Sequence, residues 1–201
     1  MYVGYMYTSG QAHGLGEDST VKGVLDSWYQ SNLSSYASKI DGNAGFCGDR
    51  TPSTSTSSSN GSGGTGTTET YYGGYIRLVT NKAPSFKCIN SSDLYTIDGD
   101  NVGNKALTNP IGLINADEVA FAGGVYNMSS SYYLLTAQNY WTMSSYSFGG
   151  IVALVFYVVS GGNLISRNVT HTRGVRPVIN LKANVTILGG NGTSTNPYVI
   201  E

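Results

Sequence analysis

The chain reads as an α+β protein, mostly β by strand count, with two helices and long loops. Three observations carry that reading. Only two stretches place apolar residues at helical spacing behind a capping residue. From Ser131 onward, short runs of strand-forming residues are separated by turn residues. The composition is rich in Gly (27) and Tyr (16), with charged residues at only 11%, which suits a strand-rich, loop-rich surface. At 201 residues the chain is long enough to bury a real core, and residues 1–201 are read as one domain.

Tyr2 to Tyr7 alternates apolar and small residues and reads as a first strand. It is not a signal peptide, and the expectation is that a targeting segment was trimmed ahead of it. Asp18, Ser19 or Thr20 can cap a helix. Val21, Val24, Leu25, Trp28, Tyr29 and Leu33 then form one apolar face running to about Ile40, and Gly42 and Asn43 stop it. Residues 51–70 are a Ser/Thr/Gly-rich tract with almost no apolar content, expected as an exposed loop. Tyr71 to Val79 reads as a short strand. Asn115 caps a second helix over Ala116–Ala122 that ends at Gly123-Gly124. The remaining expected strands are Ser131–Thr136, Tyr140–Ser144, Ala153–Ser160, Gly162–Ile165, Arg176–Leu181 and Pro197–Ile200. Strands at both ends predict terminal strands paired in one sheet.

Charge argues about partners. Eleven Lys and Arg against twelve Asp and Glu leave a net charge of −1. With no basic face evident, nucleic acid is not an expected partner. The longest apolar run, Ile151 to Val159, is too short to span a bilayer. Cys47 and Cys88 allow two readings. One is a disulfide closing a loop of about 40 residues, worth about 3–4 kcal/mol in the chain-entropy model. The other is a pair of buried free thiols.

No catalytic constellation emerges. His13 and His171 are the only histidines and lie in no triad context, and G-x-S-x-G is absent. Cys47 could act as a nucleophile, but a disulfide or core thiol explains it better. Asp98-Gly99-Asp100-Asn101 offers oxygens to calcium, yet the later Glu of an EF-hand loop is missing, so a polar turn is preferred. Asp117 and Glu118 fit the first turn of a helix through its dipole. Arg176, among apolar residues, is read as a structural clamp with Asp117 or Glu118 as its expected partner. No cofactor and no metal is expected.

The most distinctive stretch is Asn139 to Leu181. Tyr140-Trp141-Thr142-Met143-Ser144 and Gly174-Val175-Arg176-Pro177-Val178-Ile179-Asn180-Leu181 enclose a middle that contains no Lys, Glu, Asp, Gln, Met, Trp or Pro. A surface randomised at the codon level would have such an alphabet, whereas an active site needs fixed acids, bases or metal ligands.

Those two bookends resemble a family of bacterial surface domains of unknown function that often follow a prepilin-type helix. So do Pro110-Ile111-Gly112-Leu113-Ile114-Asn115-Ala116-Asp117-Glu118-Val119-Ala120-Phe121-Ala122-Gly123-Gly124 and the closing Gly192–Ile200. Val24–Tyr29, Phe46-Cys47 and Phe86-Lys87-Cys88 share the resemblance. The C-terminal half further resembles the variable proteins of diversity-generating retroelements. These have a C-type-lectin-like fold related to the formylglycine-generating enzymes. In that family, template adenines are miscopied so that AAC or AAT becomes any NNY codon, which cannot encode Lys, Glu, Gln, Met or Trp. From the composition about three of those five types would be expected between Ser144 and Val175, and none occurs.

The resemblance implies a frame with residues 139–181 as the variable region. Ala153, Val155, Phe156, Val158, Ser160, Gly162, Leu164, Val169 and Gly174 match the fixed scaffold, with Trp141 and Arg176. The ligand-binding set it implies is Tyr146, Phe148, Ile151, Leu154, Tyr157, Val159, Asn163, Ile165, Ser166, Arg167, Asn168, Thr170, His171, Thr172 and Arg173. Alternation through Val155–Leu164 would put fixed positions on one face and variable ones on the other. Ser145 departs from the family, where Pro is more frequent. The same run also reads as an ordinary buried central strand followed by polar loops.

The expected function is a non-catalytic, cell-surface binding domain, monomeric and carried on a pilus or other anchored stalk. Its ligand would be a protein or glycan on another cell or phage, with the mixed apolar and cationic face favouring protein. Two alternatives stand beside it. One is a structural pilin-like subunit with 145–173 as its assembly interface. The other is a remote oxidase of the formylglycine-generating type using copper, for which Cys47 and Cys88 lack the matching context.

Overall fold

The computed structural model describes residues 18–53, 70–97, 102–148, 152–193 and 195–201. The expectations for Tyr2–Tyr7, His13, Asp98–Asn101, Ile151 and residues 54–69 of the low-complexity tract lie outside the described residues.

Helix α1 spans Thr20–Asn32. Ser19 caps it from extended backbone, its side chain accepting from the Lys22 amide at 3.3 Å. The helix is shorter than its apolar pattern suggests. It breaks at Leu33 and continues as a tighter turn over Ser34–Lys39. Only Val21, Leu25 and Tyr29 are buried among its large apolar residues, while Val24 and Trp28 are 52% and 41% exposed. A helix lying on one layer buries a single i, i+4, i+8 stripe, and Val24 and Trp28 flank that stripe. Lys22 is buried instead. Its ammonium reaches Asp18 at 3.0 Å, Asp26 at 3.3 Å and Thr108 at 3.1 Å, which satisfies the three donors it carries.

Strand β1 (Phe46–Cys47) pairs antiparallel with β3 (Leu94–Tyr95). Strand β2 (Thr70–Tyr71) leads into α2 (Gly73–Tyr75) and a wider turn over Ile76–Thr80. The strand expected for Tyr71–Val79 is therefore a strand of two residues and then helical turns. The ends of the low-complexity tract are not exposed. Ser53 and Thr70 are buried, and Ser53 donates to the Tyr71 carbonyl at 2.7 Å.

Strand β4 (Gly112–Leu113) pairs with β8 (Pro177–Val178). Between them α3 (Ala116–Phe121) starts at a complete capping box. The Asn115 side chain accepts from the Glu118 amide, and the Glu118 carboxylate accepts from the Asn115 amide, both at 2.8 Å. This closes two orphan donors reciprocally. Residues 131–136 form no strand but a turn region. Arg176–Leu181 contributes only β8 to a strand.

The principal sheet is antiparallel in the order β2-β5-β6-β7, with β5 at Tyr140–Phe148, β6 at Ala153–Val158 and β7 at Leu164–Asn168. The β5/β6 register shifts between Trp141 and Ser145 and again between Ser145 and Ser147. At the C-terminus β10 (Val199–Ile200) pairs with β9 (Ile187–Gly189). The far partner expected for it, Tyr2–Tyr7, is outside the described residues.

Both faces of β6 are covered. Val155 and Tyr157 join Trp141, Met143, Val21, Leu25 and Tyr29 in one cluster. Phe156 and Val158 join Tyr140, Leu164, Val119 and Ala116 in another. The expected division into a fixed inner face and a variable outer face does not hold along β6. A strand between two layers reads as a continuous apolar run because both sets of side chains point into protein. The observed class is α+β with few helices and small antiparallel sheets.

The Cys47–Cys88 disulfide is formed, with Cα atoms 5.6 Å apart and a sequence separation of 41. Beside it lies a buried ion network. The Arg77 guanidinium meets both oxygens of Asp117, at 2.9 and 2.7 Å, and also bonds Asp49. Arg50 lies 3.4 Å from Asp93. The carboxylate expected to serve Arg176 serves Arg77. Arg176 donates instead to the Leu134 carbonyl and lies over the Tyr140 ring at 5.4 Å. It clamps the chain through a carbonyl and a π face, not through a carboxylate.

Candidate ligand-binding surface

Two of the residues expected on the binding face are in the core. Phe148 is 2% exposed and packs with Tyr72 and Ala153. Tyr157 is 5% exposed and meets Trp141 edge-on at 5.7 Å. The reason is the double cover of the sheet, which leaves neither face of these strand positions to solvent. Trp141 itself is 1% exposed, as its scaffold role requires.

Beyond β6 the chain changes character. The Val159 amide donates to the Asn163 carbonyl at 3.0 Å and closes the β6–β7 hairpin. Gly162 has φ +86°, and a Cβ there would fall 1.9 Å from the Ser130 carbonyl oxygen. Only glycine fits that turn. The Asn163 side chain accepts from the Ser129 hydroxyl at 2.7 Å. At the far end of β7, Asn168 accepts the Thr170 amide on its side chain at 3.1 Å and the His171 amide on its carbonyl at 3.1 Å. This is a side-chain-stabilised turn. Gly174 then donates to the Asn139 carbonyl at 2.8 Å and accepts from Trp141 at 3.1 Å. The segment is thus held by its main chain, Gly162, Asn163, Asn168 and Gly174.

The remaining expected residues divide between the two faces of the sheet. Across β6 and β7, Leu154 lies opposite Asn168 and Phe156 opposite Ser166, while Val155 lies opposite Arg167 and Tyr157 opposite Ile165. Leu154, Ser166 and Asn168 therefore share the Phe156 side, and Ile165 and Arg167 share the Tyr157 side. Val159 and Ile165 are half-buried against the α1-side cluster. Arg167, Thr170, His171 and Thr172 are exposed. Arg173 is half-buried, its guanidinium 5.1 Å from the Tyr157 ring centre and its Nη1 donating to the Thr172 carbonyl at 2.7 Å.

Tyr146 anchors a group that the sequence does not announce. Its ring meets Phe156 edge-on at 5.1 Å and Tyr75 edge-on at 5.0 Å, and it stacks with Tyr126 at 6.1 Å. Tyr71 lies 4.2 Å from Tyr75. The Tyr146 and Tyr126 hydroxyls are 3.1 Å apart. Burial pushes the Tyr146 phenol well above its ordinary range, and the Tyr126 hydrogen bond adds to this. It stays neutral at any physiological pH. Four half-buried tyrosines thus gather on the Phe156 side, the side that Leu154, Ser166 and Asn168 share. Tyr71, Tyr75 and Tyr126 are far from 139–181 in sequence, and no local pattern marks them.

Among the described residues no group of three His, Cys, Asp or Glu side chains is placed to hold a metal ion. No helix among them is long and apolar enough to cross a membrane. Compared with protein-family models, with curated proteins and with solved structures, the chain has no match.

Proposed function

We propose that this chain is a non-catalytic, cell-surface binding domain with a C-type-lectin-like fold, whose 139–181 segment is diversified by a retroelement to meet changing ligands. The observation that carries the reading is the build of residues 159–173. Main-chain hydrogen bonds and a few fixed side chains hold the loop, while Arg167, Thr170, His171 and Thr172 project without a packing role. Side chains there can change without unfolding the protein. The alphabet of the stretch, limited to NNY-encodable types, supports the same reading.

The binding set is narrower than the sequence suggests. It comprises Tyr146, Leu154 and Ser166 on one side of the sheet, and Val159, Ile165, Arg167 and Arg173 on the other. Thr170, His171 and Thr172 sit in the turn after β7, while Asn163 and Asn168 use their side chains to hold the hairpin and that turn. Tyrosine and arginine supply anchoring contacts at low entropic cost, which favours a protein ligand. Display on a pilus or anchored stalk completes the proposal.

The test is the nucleotide sequence around the gene. The proposal expects a near-copy of the codons for 139–181, differing only at template adenines, beside a reverse transcriptase. A neighbourhood without such a copy overturns it and puts the assembly-interface reading first. That reading predicts self-association through 145–173.

A further inference from the structure

A second candidate site lies on α3, apart from the 145–173 segment. Phe86 and Phe121 stack in parallel, ring centres 3.9 Å apart with 14° between planes. Yet they remain 69% and 49% exposed, and Tyr133 beside them is 81% exposed. These three rings line a cavity of about 310 Å³ together with Glu118 and apolar side chains. That is near the lower end of ligand-pocket volumes. Exposed apolar side chains clustered around one cavity, rather than scattered singly, are a mark of a binding site.

Glu118 decides the ligand's chemistry. One carboxylate oxygen accepts the Asn115 amide. Among the described residues no cation pairs with it, and burial shifts its pKa upward. An apolar occupant would cover this carboxylate unpaired, which is costly. A neutral sugar needs several hydrogen-bonding partners, and beyond Glu118 and Tyr133 the lining is apolar. A primary ammonium is strongly hydrated and wants more acceptors than one. A quaternary ammonium donates no hydrogen bond, fits apolar walls with its methyl groups, and is attracted by both ring faces and carboxylate.

The geometry points to a site for a small trimethylammonium compound, formed by Phe86, Phe121, Tyr133 and Glu118. The lining holds no basic residue, so an anion adjoining the ammonium gains nothing there. A choline-like alcohol fits better than a phosphocholine headgroup.

The experiment titrates the full chain with choline chloride and, separately, with its neutral carbon isostere 3,3-dimethyl-1-butanol, followed by NMR or calorimetry. Choline is expected to bind at least about tenfold more tightly than the isostere. Glu118→Gln keeps the capping box, since Gln serves there as well as Glu, and removes only the charge. It should weaken choline binding at least about fivefold. Tyr133→Ala, at an exposed position, should weaken it about two- to fivefold with thermal stability unchanged. Equal binding of choline and the isostere overturns the proposal, as does no binding of choline. Binding to phosphatidylcholine vesicles without binding of free choline also overturns it, in favour of a lipid surface.

Discussion

Residues 140–158 and 159–173 are neighbours in sequence and obey opposite rules. In the first, side chains hold the fold. Trp141, Met143, Val155 and Tyr157 fill one layer, and Tyr140, Phe156 and Val158 fill the other. In the second, the main chain holds the fold. Its turns close on carbonyls and on Gly162, Asn163 and Asn168, and Ser160, Arg167, Thr170, His171 and Thr172 face outward. The difference teaches where sequence can vary. Changing a side chain in the first region opens a cavity, whereas in the second, apart from buried Leu164 and half-buried Val159, Ile165 and Val169, it changes mainly the surface.

The largest test of that scaffold lies beneath it. Arg77→Ala would strand Asp49 and Asp117, both buried. Breaking one partner from such a network costs about 3–5 kcal/mol, and urea denaturation should read that loss. Tyr157→Ala comes next. If Tyr157 is core and not surface, truncation should cost about 3 kcal/mol, as for other large aromatic deletions. A loss below about 0.5 kcal/mol would return Tyr157 to the surface set.

Gly162→Ala probes the hairpin turn that opens the second region. Its positive φ and the close Ser130 carbonyl predict a loss of about 1–3 kcal/mol, read as a lower melting temperature. Replacing Arg167, Thr170, His171 and Thr172 with serine should be the mildest set, each change within about 0.5 kcal/mol. A larger loss there would break the comparison outright.

The smallest effect concerns pH. Glu118 has its pKa raised above 4.5, chiefly by burial. A raised folded pKa means the folded state holds its proton more tightly than the unfolded state. The stability this confers is fully present below pH 4.5 and is lost as pH rises through the folded value. Glu118→Gln should therefore gain most on the wild type at neutral pH, and the gain should shrink as pH falls towards 4.5. Melting curves across that window check the sign.

Much of the local structure was legible in the residues. Asn115 announces its helix, and Ser19 is one of three candidates for the first, because a cap is satisfied within three residues. With two cysteines in the chain, a disulfide had one possible pairing, though bonded and free thiols were both open. The site was legible only in part. Arg167, Thr170, His171 and Thr172 fall on the surface as expected, while Phe148 and Tyr157 do not. An apolar-rich run such as Ala153–Val158 carries no mark of whether one layer or two will cover it. Arg176 and Arg77 carry the same fork, and nothing near either one says which will meet Asp117.

The sequence by itself determined the α+β class, the starts of α1 and α3 and the restricted alphabet of 145–174, while Gly162, expected within a strand, proved to be the hairpin's turn glycine. The caps depend on contacts a few residues long, and the alphabet is read directly from the residues. Tertiary structure alone decided that β6 is buried twice, that Arg77 takes the carboxylate, and that Tyr71, Tyr75 and Tyr126 gather around Tyr146. Each of those joins elements tens of residues apart. Such choices are made by packing and by the cost of an unpaired buried charge, which no local window of sequence contains.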